Sequence, residues 1–198
     1  MIVDVLKVDG IKEALLGMGL SYGLTSNKNI ICMEDAKLAG RLTKICAKCA
    51  QRGNGEDKFL RMIQIWADVT APRFWWAEFD TYKVGTVALS ESTMHTLGKR
   101  PLVQEDFEGG LPIELIDWLN TYVCADCPVE TKKRFLPEGF LQRRIVNFSY
   151  AVFANMVRQR RNHRLPEWHY FLGTIYYALP MQEFLPPLTV EEGKEEEE

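Results

Sequence analysis

No apolar run in this sequence approaches the roughly 20 residues needed to cross a bilayer, so no membrane-spanning helix is expected. The start, MIVDVLKVDG, lacks a basic segment followed by an apolar one, and the expectation is an intracellular, cytoplasmic protein. Cysteine is scarce and odd in number, five residues at 32, 46, 49, 124 and 127, which argues for reduced thiols over a disulfide framework. Two C-x-x-C pairs, Cys46/Cys49 and Cys124/Cys127, offer four thiolates to one zinc, but the 74 residues between the pairs are far from a zinc ribbon's spacing. No bound metal is expected, and Cys46 and Cys49 read as small packing residues on one helical face. There is no internal repeat. Strong net charge is missing too: of the formal −3, the segment Glu191 to Glu198 supplies −5, which leaves the rest at about +2. A tail of that composition buries no apolar surface and reads as a disordered acidic end over 189–198, following a single domain over 1–188.

What is present suits one folded domain of 198 residues with 46% hydrophobic and 26% charged residues. VDVLKV alternates like a short strand, and VDGIKEALLGMG turns into a helix. A helical stretch from about Met33 to Gln51 stops at the Gly-Asn-Gly turn of residues 53 to 55. Met62 to Val69 puts Ile63, Ile65, Ala67 and Val69 on one face and Gln64, Trp66 and Asp68 on the other, as in a half-buried strand. Residues 86 to 110 read as irregular, followed by helical pieces at Leu111 to Val123 and Thr131 to Phe135. A long helix is expected from Leu141 to Arg160 and a final one from Glu167 to Leu179. The fold class is mixed α/β, a small sheet flanked by long helices.

Two stretches carry functional signal. In APRFWWAEFDTYKVG, Ala71 to Gly85, three consecutive aromatics are denser than a structural helix requires, so the expected helix from Phe74 to about Lys83 has both core and something to contact. Homo-oligomer contact is one reading of Phe74, Trp75 and Trp76, since so dense a block is hard to bury in one small domain. In the expected helix from Leu141 to Arg160, Ile145, Phe148, Val152 and Met156 form an apolar stripe. There Asn147 and Arg158 fall on one face, about 20 degrees and roughly 16 Å apart, with Ala151 and Ala154 between them. That face is either a ligand contact or a solvated surface with Arg158 in an ion pair. The cluster SESTMH, Ser90 to His95, holds Ser, Glu and His too close along the chain for a nucleophile triad, and capping hydroxyls or phosphate ligands are the better readings. His169 is expected to pack beside Trp168 and Tyr170.

Asn147 preceded by Val146, Arg158 eleven residues on, and His163 and Glu167 shortly after resemble the C-terminal motif of the flavin-dependent thymidylate synthases. Ala71-Pro72 leading into the aromatic segment resembles the signature region of the same family, and the likeness covers roughly residues 60 to 97 and 140 to 172. The resemblance implies a mixed α/β homotetramer that uses FAD and NADPH to methylate dUMP with carbon from methylenetetrahydrofolate. It implies that Asn147, Tyr82, Lys83 and His163 meet the flavin, that Arg158 holds the pyrimidine and is the catalytic candidate, and that Thr86, Ser90 and Ser92 bind substrate. The signature itself departs from the family. Where the family has Arg-His-Arg and later Ser-x-Arg, this chain has Thr81-Tyr82-Lys83 and Glu91-Ser92-Thr93. Thr has neither the charge nor the planar fork of donors with which Arg grips phosphate, so positions 81 and 93 lose that grip. Tyr82 keeps a flat ring, Lys83 a point charge, and Arg73, Lys99, Arg143 and Arg144 are candidates to compensate.

Three functions follow as alternatives: a divergent flavin-dependent thymidylate synthase acting on dUMP or a related pyrimidine nucleotide, a non-catalytic nucleotide- or flavin-binding descendant, and a nucleic-acid binder using Arg158, Arg160, Arg161 and Arg164. The last is disfavoured because the basic run is short and the body nearly neutral. A pocket is expected between the two stretches, with Trp75, Phe79 or Tyr82 as its flat wall and Asn147 and Arg158 as its polar contacts.

Overall fold

The alternation in IVDVLKVD and the turn at Gly10 set the first two elements. In the structure, a computed structural model that describes residues 1–24, 36–123 and 127–189, these are strand β1 (Ile2–Asp9) and helix α1 (Ile11–Ser21). Gly10 stands at φ 85°, a left-handed conformation that only glycine adopts without strain. Helix α2 (Ala36–Arg52) follows, then a 3-10 segment, Glu56–Arg61. Strand β2 (Gln64–Pro72) follows the expected alternation: Ile65, Ala67, Val69 and Ala71 are fully buried, and Gln64, Trp66, Asp68 and Thr70 are half-buried. Helix α3 (Arg73–Phe79) starts directly after Pro72, whose φ of −68° and extended ψ end the strand.

Beyond α3 the expectation changes in detail. The helix does not run on to Lys83. It tightens to a 3-10 turn over Asp80–Tyr82 and opens at Gly85 into strand β3 (Thr86–Ser90), so the segment expected to be irregular opens as a strand. The short helices α4 (Thr93–Thr96), α5 (Ile113–Trp118) and α6 (Val129–Phe135) come next, with a π-helical turn, Leu119–Val123, extending α5.

The expected long helix from Leu141 to Arg160 is corrected. Leu141–Ser149 is strand β4, and the helix, α7, is Tyr150–Arg160. Val146 and Phe148 are buried while Ile145 and Asn147 are half-buried, a period of two that a helical stripe through Ile145, Phe148 and Val152 also happens to fit. The punctuation lies at Ser149, whose extended backbone closes the strand and whose hydroxyl accepts from the Val152 N–H at 3.3 Å as the cap of α7. Helix α8 (Pro166–Ala178) closes the helical part, with Pro166 in its first turn, where the missing N–H costs nothing.

The four strands form one sheet in the order β1-β2-β4-β3. Strands β2 and β4 run antiparallel: the Tyr150 N–H meets the Ile63 carbonyl at 2.9 Å and Arg143 meets Asp68, so residue numbers rise along one strand as they fall along the other. By contacts the chain divides into two compact units, Met1–Asp4 with Ala67–Val146, and Val5–Trp66 with Asn147–Glu198.

In the first unit the aromatic block is core. Trp75, Trp76 and Phe79 are 0 to 1% exposed and pack edge-on or tilted with ring centroids 4.9 to 5.3 Å apart. A second cluster joins Leu97, Leu102, Phe107, Ile116, Leu119 and Leu136. In the second unit Phe148, Phe153, Trp168 and Phe171 form a buried aromatic array with centroids 5.9 to 6.2 Å apart along its contacts. His169 is exposed on α8 and does not pack beside its neighbours in the core.

Gly10 is the most constrained turn. A Cβ there would lie 2.3 Å from the Met62 carbonyl oxygen, which is backbone and cannot swing aside. Gly10→Ala is therefore expected to destabilise the protein by about 2 to 4 kcal/mol, combining left-handed strain with the clash. Urea unfolding within 0.5 kcal/mol of wild type, a margin typical of about any neutral surface change, would contradict it.

Candidate functional site

The signature segment is held by its own backbone. The Thr81 hydroxyl donates to the Glu78 carbonyl at 2.7 Å, the Thr86 hydroxyl to the Tyr82 carbonyl at 3.3 Å, and the Gly85 N–H to the same Tyr82 carbonyl at 3.0 Å. Each threonine is thus a clip on the preceding turn, since its short hydroxyl reaches only local acceptors. Tyr82 is 9% exposed, with its ring against the core, and Trp75 and Phe79 are fully buried. The expected flat wall of Trp75, Phe79 or Tyr82 is corrected on that ground: these rings face protein. Lys83 is exposed, its N–H donates to the Asp80 carbonyl at 3.3 Å, and its ammonium has no hydrogen bond or ion pair among the described residues.

Trp76 anchors a polar assembly that the sequence reading missed. Its indole N–H donates to the Gln142 carbonyl at 2.8 Å, and the Arg144 guanidinium lies over its ring, 4.2 Å from the centroid. Arg144 in turn donates to Asp80 at 2.8 Å and to the Gln142 side chain at 3.1 and 3.3 Å. Arg143 forms a bidentate pair with Asp68, and its hydrogen bonds hold the Asp68 carboxyl below the usual carboxylate range. With the folded pKa depressed, that contribution to stability is present above the unfolded value and lost only as pH falls through the folded one. Arg73 donates to the Leu136 carbonyl at 3.1 Å and lies 3.3 Å from Glu138. Of the four cations named as compensators, Arg73, Arg143 and Arg144 are therefore committed to internal partners. Lys99 alone has none among the described residues.

Lys99 lines a cavity of about 450 Å³ in the first unit, together with Glu91, Thr96, Arg100 and Phe140. Gly98, at φ 90°, turns the chain there, and Arg100 is fixed by two bonds to Asp106 at 2.7 and 2.5 Å. Glu91 is tied down by its backbone, its N–H bonding the Arg143 carbonyl at 2.8 Å and its carbonyl accepting from Gln142 at 3.0 Å. Ser90 and Ser92 are exposed beside it, and the Ser92 carbonyl accepts from the Thr96 hydroxyl at 2.9 Å. Sequence hints to the cavity existed in Gly98-Lys99-Arg100, but a single glycine before two cations is a common turn.

In the second unit, Asn147 and Arg158 are not on one helical face, because Asn147 belongs to β4 and Arg158 to α7. The Asn147 amide donates to the Ile65 carbonyl at 3.0 Å. Arg158 is exposed, and its side chain has no hydrogen bond or ion pair among the described residues. Ala154, expected to open the face to a ligand, is buried in the core. His163 lies in the turn after α7, where its Nδ1 accepts from the Leu165 N–H at 3.2 Å. Arg160 stacks on Trp168 at 5.1 Å and Arg161 donates to the Pro187 carbonyl at 3.1 Å, so the basic run is partly spent on packing.

Cys46 and Cys49 sit buried on α2, and burial pushes the Cys46 thiol up to about 12. Among the described residues no cluster of His, Cys, Asp and Glu has a metal-binding arrangement, and no helix is long and apolar enough to cross a membrane. Cys32, Cys124 and the tail from residue 190 lie outside the described residues.

Compared with protein-family profiles and with curated proteins, the sequence finds no match. Compared with solved structures, the chain is similar to the flavin-dependent thymidylate synthase ThyX of Helicobacter pylori complexed with FAD and dUMP, with TM-score 0.73, 13% identity, and coverage of 93% of this chain and 98% of that one. A second structure of the ThyX of Helicobacter pylori with FAD and dUMP gives TM-score 0.71 at 12% identity, covering 93% and 97%. At that identity the likeness is one of fold. The chain has the fold of these synthases, a mixed α/β arrangement around one small sheet.

Asn147 separates structure from ligand. Its bond to Ile65 is internal, so Asn147→Ala is expected to lose about 1 kcal/mol of stability even with no ligand present. A thermal melt identical to wild type would show that the amide does no structural work.

Proposed function

We propose that this protein binds a pyrimidine nucleotide through the ThyX fold without the phosphate grip of the synthase signature. The observation that carries the proposal is the state of the signature positions: Thr81 and Thr86 bond their own turn, Tyr82 packs inward, and Lys83 is the one cation among residues 81 to 83. These residues fit the phosphates of a flavin dinucleotide poorly, since one lysine point charge replaces two planar guanidiniums. Arg158 supports nucleotide recognition. An exposed guanidinium whose side chain has no partner among the described residues suits a pyrimidine carbonyl or a phosphate oxygen, and His163, Ser90 and Ser92 remain candidate contacts.

A second reading, methylation of dUMP or a related pyrimidine nucleotide with FAD, NADPH and methylenetetrahydrofolate, is supported by the coverage of 98% of a ThyX chain that holds FAD and dUMP. Colour separates the two: a yellow protein that oxidises NADPH favours the enzyme, and a colourless one that takes up no added FAD favours binding alone.

The test of the nucleotide reading is calorimetric titration of dUMP, dTMP and FAD. Arg158→Ala is expected to weaken the bound nucleotide by roughly 10- to 100-fold, the loss of one charged hydrogen bond, with an unchanged melting temperature. Equal binding by wild type and variant would remove Arg158 from the site, and no binding by wild type would remove the function.

Homo-oligomeric assembly, a tetramer by the resemblance, is proposed as well, though no longer on the aromatic block, of which Trp75 and Trp76 are buried within the chain and Phe74 is half-buried. Its support is β3 at the edge of the sheet, where Val87 and Leu89 are 64% and 75% exposed. Light scattering is expected to show an oligomer at micromolar concentration, and a monomer there would refute it.

A further inference from the structure

Helix α2 carries a charge pattern that the nucleotide reading does not use. Its 17 residues hold five cations, Lys37, Arg41, Lys44, Lys48 and Arg52, and no carboxylate. Arg52 is set apart by its pair with Glu56 at 3.2 Å. The other four are spaced by four, three and four residues, so they stand within about 60 degrees of one another along roughly 16 Å of helix. All four are exposed, and Arg41, Lys44 and Lys48 have no carboxylate partner among the described residues. A groove of about 400 Å³ runs along them, lined also by Ala36 and Gly40, where a methyl group and a bare Cα let an extended backbone approach. Like charges three and four apart cost a helix a few tenths of a kcal/mol per pair, about 1 kcal/mol along this stripe. Nothing in the packing of α2 requires that cost, because the helix is buried through Leu42, Cys46, Cys49 and Ala50 on another face.

The complementary charge is in the same chain. Glu191 to Glu198 contains six Glu and one Lys. The chain leading to it is pinned in the second unit: the 3-10 turn Gln182–Phe184 packs on α2, the Phe184 ring meets Phe59 at 5.4 Å, and the Pro187 carbonyl accepts from Arg161 at 3.1 Å. From Thr189, the nine following residues span about 30 Å when extended, about twice the length of the stripe. We propose that Glu191–Glu198 docks in cis on the Lys37, Arg41, Lys44 and Lys48 stripe of α2, an electrostatic strap over a surface that would otherwise take nucleic-acid phosphates. Tethering places the acidic segment at an effective concentration of about millimolar, so exposed ion pairs that are individually weak suffice together. Because every pair is solvated, the contact weakens as salt shortens the screening length. This inference stands whether or not the protein binds nucleotide.

The test compares the full chain with a chain ending at Thr189, whose truncation lies beyond the last pinned residue. In two-dimensional NMR, backbone amides across Lys37–Lys48 are expected to differ between the two chains at low salt and to coincide at 0.5 M NaCl, a concentration that cuts the screening length to about 4 Å. In the full chain, Lys44→Glu with Lys48→Glu is expected to abolish that difference. A fluorescein-labelled 20-base-pair DNA duplex, followed by anisotropy, is expected to bind the truncated chain about ten-fold more tightly than the full one, with the strong salt dependence of phosphate contacts. Identical α2 amides in the two chains would overturn the proposal. So would equal DNA affinity of the two, which would make the stripe an open nucleic-acid surface.

Discussion

The burial of Trp76 is the constraint on which the arrangement of the first unit depends. A buried indole must satisfy its N–H, and the Gln142 carbonyl does so at 2.8 Å, fixing α3 against β4. With the ring in place, Arg144 has a face to lie on and a carboxylate, Asp80, at the end of α3 to meet. Asp80 begins the 3-10 turn that carries Thr81 and Tyr82, so the signature segment inherits its position from a tryptophan four residues upstream.

That chain of dependence fixes the turn at Thr81 and Tyr82 with no arginine in it. Thr81 and Thr86 add hydroxyl clips to a turn already fixed at its start, and Tyr82 adds a ring to an existing core. Meanwhile the arginines of β4 serve the sheet and α3, Arg143 through Asp68 and Arg144 through Trp76, and are not left over for a phosphate. A count of cations in the sequence overstates those available to an anion, because a bidentate or stacked arginine is already engaged.

Much of the fold was legible in the residues. The alternation through Ile63, Ile65, Ala67 and Val69 belongs to a strand, the Gly10 turn marks a helix start, and the mixed α/β class follows from their order. The segment from Leu141 to Ser149 was not legible, because Ile145, Phe148 and Val152 fit a period of 3.6 as well as their neighbours fit a period of 2. The decisive residue was Ser149, a helix cap in the middle of what read as one helix. Reading past it put Asn147 on a helical face with Arg158, and the shared face went with the error. The aromatic block misled for a different reason. Consecutive apolar residues read as surplus to a helix, yet α3 is buried deeply enough to use Trp75, Trp76 and Phe79 together.

The packing of α2 also settles the chemistry of one of its thiols. Cys46 is fully enclosed, and its proton is held to about pH 12, so at neutral pH the thiolate that reacts with alkylating agents and peroxide is effectively absent. Its neighbour Cys49 is 2% exposed on the same helix. Iodoacetamide labelling at Cys46 itself therefore reports on opening of the second unit rather than on its surface, and Cys46 serves as a built-in clock for local unfolding.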